Sequence, residues 1–226
     1  MSETKITEIN QDTFWELIER SKNQPRDPER WLRDQLTAMG DEQAMMFGAI
    51  ADTYATLADE YGLWTAATVI DESCYSEKEF YSFRMWLVGQ GKEVYMAALA
   101  DPDSLADGPS YLDKQFSRLA YVGGEVYQDL VGEDCEWTID DYTWSALRDE
   151  LRRGIVYDKG IGYPYEWPDV PKYVPRLYQK YLVEQKRQRY DHYTVRVNTW
   201  NLNNPSVSAA RNVAQKSTKV KDRDER

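Results

Sequence analysis

The sequence predicts a mainly α-helical fold, built as a single multi-helix domain followed by an irregular Gly/Pro/Tyr-rich segment, a further helix and a basic tail. Three observations carry this. Apolar residues recur at helical spacing through most of the first 154 positions. Helix start and stop signals punctuate that pattern at short intervals, with Asp27-Pro28-Glu29 and Ser76-Glu77-Lys78-Glu79 the clearest starts. Strand signals are few and short: Ile155-Val156-Tyr157 is a weak strand, and Thr194-Val195-Arg196-Val197 alternates.

In chain order, Asn10 or Asp12 caps a first helix carrying Phe14, Trp15, Leu17 and Ile18, which ends before Pro25. A second helix starts at Asp27-Pro28-Glu29, presents Trp31, Leu32, Leu36 and Met39, and stops at Gly40. A third and longer one opens at Asp41 and runs to about Tyr61, closed by Gly62, with Met45, Met46, Phe47, Ile50, Tyr54 and Leu57 on its apolar face. Leu63 to Ile70 is a fourth, leading into the turn Asp71-Glu72-Ser73-Cys74.

The densest helical signal lies over residues 76–89. Ser76 and Glu79 form a capping box, and Gly89-Gln90-Gly91 supplies the stop. Phe80, Phe83, Trp86, Leu87 and Val88 spread over a wide apolar arc, so this helix is expected at the centre of the fold. Arg84 falls inside that arc. A guanidinium keeps its proton, so it must snorkel, pair with a carboxylate or bind an anion. Asp71, Glu72, Asp101 and Asp103 are its candidate partners. Two readings compete, a structural salt bridge and an anion- or ligand-binding fork. The ligand-binding reading takes Arg84, Asp71, Glu72, Cys74 and Asp103 as its residues.

Lys92 to Leu99 is a short helix and Asp101-Pro102-Asp103-Ser104 a turn. Tyr111 to Leu119 and Glu125 to Leu130 are helical, with a break at Gly123-Gly124. Thr138-Ile139-Asp140-Asp141 opens the last helix of the body, bearing Tyr142, Trp144, Leu147 and Leu151, to Gly154. Residues 155–202 form a Pro/Tyr-rich extension: a loop or hairpin to Asp169, then a helix from Pro171 to about Arg189 with Pro175 in its first turn. Residues 203–226 have the composition of a disordered basic tail.

The string Phe80, Phe83-Arg84-x-Trp86-Leu87, Gly91, Tyr95, Ala98-Leu99 and Pro102-Asp103-Ser104-Leu105, with Phe14-Trp15-x-Leu17-Ile18 upstream, resembles the bacterial family called domain of unknown function 4240. The similarity spans roughly residues 12–140. Glu72-Ser73-Cys74 departs from it, since the family pattern has two glycines before the Cys. The resemblance implies a bacterial origin and a shared helical fold. It implies no activity and no catalytic residues.

Charge is unevenly spread. The net charge is −11, yet residues 172–226 hold 13 Lys/Arg against 5 Asp/Glu, and the preceding residues hold 15 against 34. An acidic body is repelled by phosphate backbones and attracts a basic partner, or its own basic tail. Eight Trp and seventeen Tyr add amphipathic rings of the kind protein contacts use. The chemistry of the chain is otherwise sparse. His192 is the one histidine, which argues against His-based metal centres, triads and Cys-His dyads, so no metal and no cofactor is expected. Cys74, in the turn before a helix N-terminus, is the candidate nucleophile; an inert buried thiol is the competing reading.

Two cysteines make no disulfide framework, and Met1 to Asn10 has no apolar signal region, so a cytoplasmic protein is expected. The longest apolar run, Ala44 to Ala51, is too short to span a membrane. The function expected from these features is a non-enzymatic protein-interaction module with an acidic body and a basic protein partner. An anion- or small-ligand-binding domain, or an enzyme, centred on Arg84 with its neighbouring carboxylates is one alternative. Weak nucleic-acid binding through the basic C-terminal segment, where Tyr190, Tyr193 and Trp200 interleave with cations, is the other.

Overall fold

The computed structural model describes residues 6–24, 26–71, 74, 76–132, 141–159 and 169–184. Among them the regular structure is helical, with no strand. The helices are α1 Gln11–Lys22, α2 Pro28–Met39, α3 Asp41–Leu57, α4 Tyr61–Ile70, α5 Glu77–Gly89, α6 Lys92–Ala100, α7 Val122–Val131, α8 Asp141–Arg152 and the short turns α9 Val170–Tyr173 and α10 Pro175–Leu177. Three 3-10 turns, Pro102–Ala106, Tyr111–Asp113 and Leu119–Tyr121, join α6 to α7. Two compact units divide the chain, Met1–Gln179 and Lys180–Arg226. The second is described only over the end of the π-helical segment Tyr178–Glu184. His192, Cys135, the basic run from Lys186, the alternating stretch 194–197 and the tail from 203 lie outside the described residues.

Start signals in the sequence act as expected. Asn10 accepts from the amides of Asp12 and Thr13, and the Thr13 hydroxyl accepts from the Asn10 amide. Asp27 caps α2 with Pro28 in its first turn. The Ser76 amide donates to Glu79 Oε2 at 3.0 Å, and the Glu79 amide donates to Ser76 Oγ at 3.4 Å.

The centre of the fold is α3. It packs against α1, α2, α5, α7 and α8, which its small residues permit. Ala44 and Gly48 bring the α7 backbone close. A Cβ on Gly123 would sit 2.6 Å from the Gly48 amide nitrogen and 2.8 Å from the Ala44 carbonyl oxygen. The expected break at Gly123-Gly124 is therefore absent: both glycines lie inside α7, and Gly123 serves contact rather than flexibility.

Two aromatic clusters fill the core. Phe14, Trp15, Phe47, Tyr54 and Tyr95 join α1, α3 and α6, with ring centroids 4.6–5.8 Å apart along the chain of contacts. The second cluster comprises Trp64, Phe80, Phe83, Trp86 and Tyr111, with Trp64 stacked on Phe80 at 4.9 Å.

Several sequence expectations are corrected. The third helix ends at Leu57, not Tyr61. Ala58 to Glu60 form a turn, and Tyr61-Gly62 open α4 instead of closing α3. Residues 111–119 are 3-10 turns around Lys114 and Phe116, both left-handed at φ 52° and 59°. Ile155-Val156-Tyr157 is not a strand; its neighbour Asp158 makes one backbone bond, donating to the Leu99 carbonyl at 2.7 Å.

The helix expected from Pro171 is interrupted at Val174, which has φ −132° and ψ 63°. A residue before proline is pushed out of the helical region, so α9 stops and Pro175 restarts the chain as the first residue of α10.

Candidate functional site

The residues singled out by sequence fall into three neighbourhoods. The first is the carboxyl end of α3. A helix terminates in four carbonyls without intrahelical donors, and here each one is met. Ala58 N–H and the Tyr95 hydroxyl donate to the Tyr54 carbonyl, the latter at 2.7 Å. Arg84 Nη1 donates to the Ala55 carbonyl at 3.2 Å. Asp59 N–H donates to Thr56, and the Tyr157 hydroxyl donates to Leu57 at 3.1 Å.

Arg84 also faces Asp59 Oδ2 at 3.4 Å and Glu77 Oε2 at 3.8 Å, and its guanidinium lies 4.6 Å from the Phe80 ring centroid. Its partners among the described residues are thus Asp59 and Glu77, not the expected Asp71, Asp101 or Asp103; Glu72 lies outside the described residues. Only 7% of the side chain is exposed, and its Nε has no hydrogen-bond partner among them. The positive head sits where the α3 dipole is negative, which favours the charge despite burial. Tyr95 is buried beside it, and burial raises its phenol well above the usual value.

The second neighbourhood is the Cys74 turn. Cys74 is a buried free thiol. Its amide donates to the Asp71 carbonyl at 2.9 Å, and its carbonyl accepts from Thr68 Oγ1 at 3.4 Å. Burial pushes the thiol up to about 11, and the nearby Asp71 carboxylate adds to the shift. The thiol therefore lies above its ordinary value, because burial disfavours the thiolate. Lys114 covers the turn from outside, with Nζ 4.0 Å from Asp71 and 3.2 Å from the Tyr111 ring centroid. Burial raises the Tyr111 phenol to about 12.

The third neighbourhood is the turn Pro102–Ala106. Asp103, almost fully buried, accepts from the backbone amides of Arg176 and Leu177 at 3.1 and 2.9 Å and from Arg176 Nε at 3.1 Å. The Arg176 guanidinium also pairs with Asp107 and, at 3.4 Å, with Asp101. Arg84, Cys74 and Asp103 therefore serve separate elements.

Sequence reading missed a cleft of about 400 Å³ between the start of α2 and residues 114–119, lined in part by Arg26, Glu29, Lys114, Phe116 and Arg118. Left-handed backbone at non-glycine residues shapes its rim, and such strain has no composition signal. Gly89 permits it: a Cβ there would overlap the Phe116 carbonyl oxygen. Gln90 Nε2 holds the same rim by donating to the Gln115 carbonyl at 2.8 Å. Arg118 is paired with Glu29 and Glu125.

Among the described residues no group of three or more His, Cys, Asp or Glu is placed to hold a metal ion. No described helix is long and apolar enough to cross a membrane.

The fold and its polar contacts define a helical domain in which the Arg84, Tyr95 and Tyr157 side chains close the end of α3. The model of one such family, described as a protein of unknown function (DUF4240), matches residues 9–129, and the chain belongs to that family. No curated protein and no solved structure matches the chain.

Proposed function

We propose that this chain is a non-enzymatic protein-interaction module of the bacterial cytoplasm, whose acidic body takes a basic protein partner. The observation that carries the reading is the charge of the body. Residues 1–171 hold 34 Asp/Glu against 15 Lys/Arg. Many of those cations already have acids: Arg20 with Glu16, Lys22 with Glu19, Arg33 with Glu125 and Asp129, Lys92 with Asp12, and Arg118 with Glu29 and Glu125. The excess carboxylates give the surface a field that attracts basic proteins. Exposed Tyr142 and Val156, at 85% and 69%, add apolar contact area.

Two further features support the reading. The candidate nucleophile Cys74 is a protonated, buried thiol at neutral pH, and Arg84 and Asp103 already hold structural partners. A free buried thiol also suits a reducing compartment.

The test is affinity capture with the full chain from extracts of its source at about 50 mM salt, followed by the same capture at about 0.5 M. The expected result is a stoichiometric protein of high isoelectric point that is released by the higher salt. Recovery of no stoichiometric partner, or of one held equally at both salt concentrations, overturns the proposal.

A further inference from the structure

The segment 169–179 lies outside the family match, yet it is packed onto the family's own elements, the turn Pro102–Ala106 and α4. Its apolar residues Val170, Val174 and Leu177 are fully buried. Three side chains are few against the cost of ordering eleven backbone residues, so apolar burial alone does not hold the segment. What remains is polar and converges on one residue. Pro175 has no amide proton, and the next two amides, of Arg176 and Leu177, both donate to Asp103. The Arg176 side chain then returns to Asp103, Asp107 and Asp101.

We propose that residues 169–179 form a strap with a salt-sensitive latch: Arg176 in the acidic turn Asp101/Asp103/Asp107 decides whether the strap covers the apolar surface of α4 and Pro102–Ala106 or leaves it open. The strap itself is the occupant of that surface. The latch has two parts of different character. Asp103 is 8% exposed and receives two backbone amides, a contact that salt screens little. Arg176, Asp101 and Asp107 are 46%, 60% and 76% exposed, so their attraction is screened. Prolines at 171 and 175 keep the released strap from forming one continuous helix, which preserves the bend at Val174 that presents Leu177 to the surface.

Hydrogen exchange read by mass spectrometry on the full chain tests this. Strap amides of the wild type should exchange about tenfold faster at 0.5 M than at 0.05 M salt, while α3 and α5 keep their protection. Arg176→Ala should show the fast strap exchange already at low salt, and Arg176→Lys an intermediate rate. Strap exchange that is insensitive to both salt and Arg176→Ala overturns the proposal. So does strap exchange that rises only in step with α3 and α5, because the segment is then part of the cooperative core. Neither result depends on whether a basic partner exists.

Discussion

Arg84 is a charge buried for the benefit of a helix end. Its nearest acceptor is a main-chain carbonyl, while Asp59 and Glu77 are 51% and 71% exposed and can return to water if the guanidinium is lost. Arg84→Ala should therefore destabilise by about 2–3 kcal/mol, from the stranded Ala55 carbonyl and the lost packing on Phe80. Asp59→Asn should cost under about 1 kcal/mol. Urea unfolding of both variants checks this; equal losses would make the ion pair, not the carbonyl, the dominant partner. Cys74 carries a pH prediction. Its thiol is raised from 9.0 to about 11 in the folded state. Between those values the folded chain keeps a proton that the unfolded chain has released. The stability this represents is full below about pH 9 and is lost as pH rises through about 11. Thermal melting against pH should show a decline over that window that Cys74→Ala makes shallower. The phenols of half-buried Tyr81 and of buried Tyr95 and Tyr111 are shifted in the same direction and should leave a residual decline.

Among the elements, the crossing of α3 and α7 depends on a distinction between two adjacent glycines. Gly123 has no room for a methyl group, whereas a Cβ on Gly124 would have nothing within 4 Å. Gly123→Ala should cost about 3 kcal/mol through overpacking of two backbones. Gly124→Ala should instead stabilise by about 0.5–1 kcal/mol, since a helical alanine loses less entropy on folding. Denaturation midpoints of the pair decide the point, and a similar sign for both would refute the close crossing. Sequence reading saw Gly-Gly and expected a break, because local composition does not register which face a neighbouring helix will occupy. Capping signals were read correctly at Asn10, Asp27 and Ser76, since a cap is a contact among residues three apart. The Val174 bend is local chemistry too: Pro175 fits the first turn of a helix, but it pushes the residue before it out of the helical region and so ends α9.

At the scale of the molecule, the family match ends at residue 129, but the compact unit continues to Gln179. Residues beyond the match complete the body: Leu151, Val170, Val174 and Leu177 are buried, and Tyr157 supplies the donor for the last carbonyl of α3. Tyr157→Phe removes only that hydroxyl and should lower the stability of the whole unit by about 1 kcal/mol. A calorimetric scan that shows one transition, shifted down, fits an integrated extension. A shift confined to a separate minor transition would show that the extension folds by itself.

The sequence by itself determined the helical class, the capped helix starts at Asn10, Asp27 and Ser76, the core aromatics of α1, α3, α5 and α6, and the acidic body, because these depend on spacing along the chain and on composition. It also marked Arg84 as anomalous. What the tertiary structure alone decided is which groups meet. Arg84 serves the end of α3, Cys74 is sealed with its proton, and Asp103 holds Arg176 from 73 residues away. The physical reason is that a buried polar group takes whichever partner the packing delivers. That choice depends on helix crossings set by small residues such as Gly48 and Gly123, over distances that spacing along the chain does not encode.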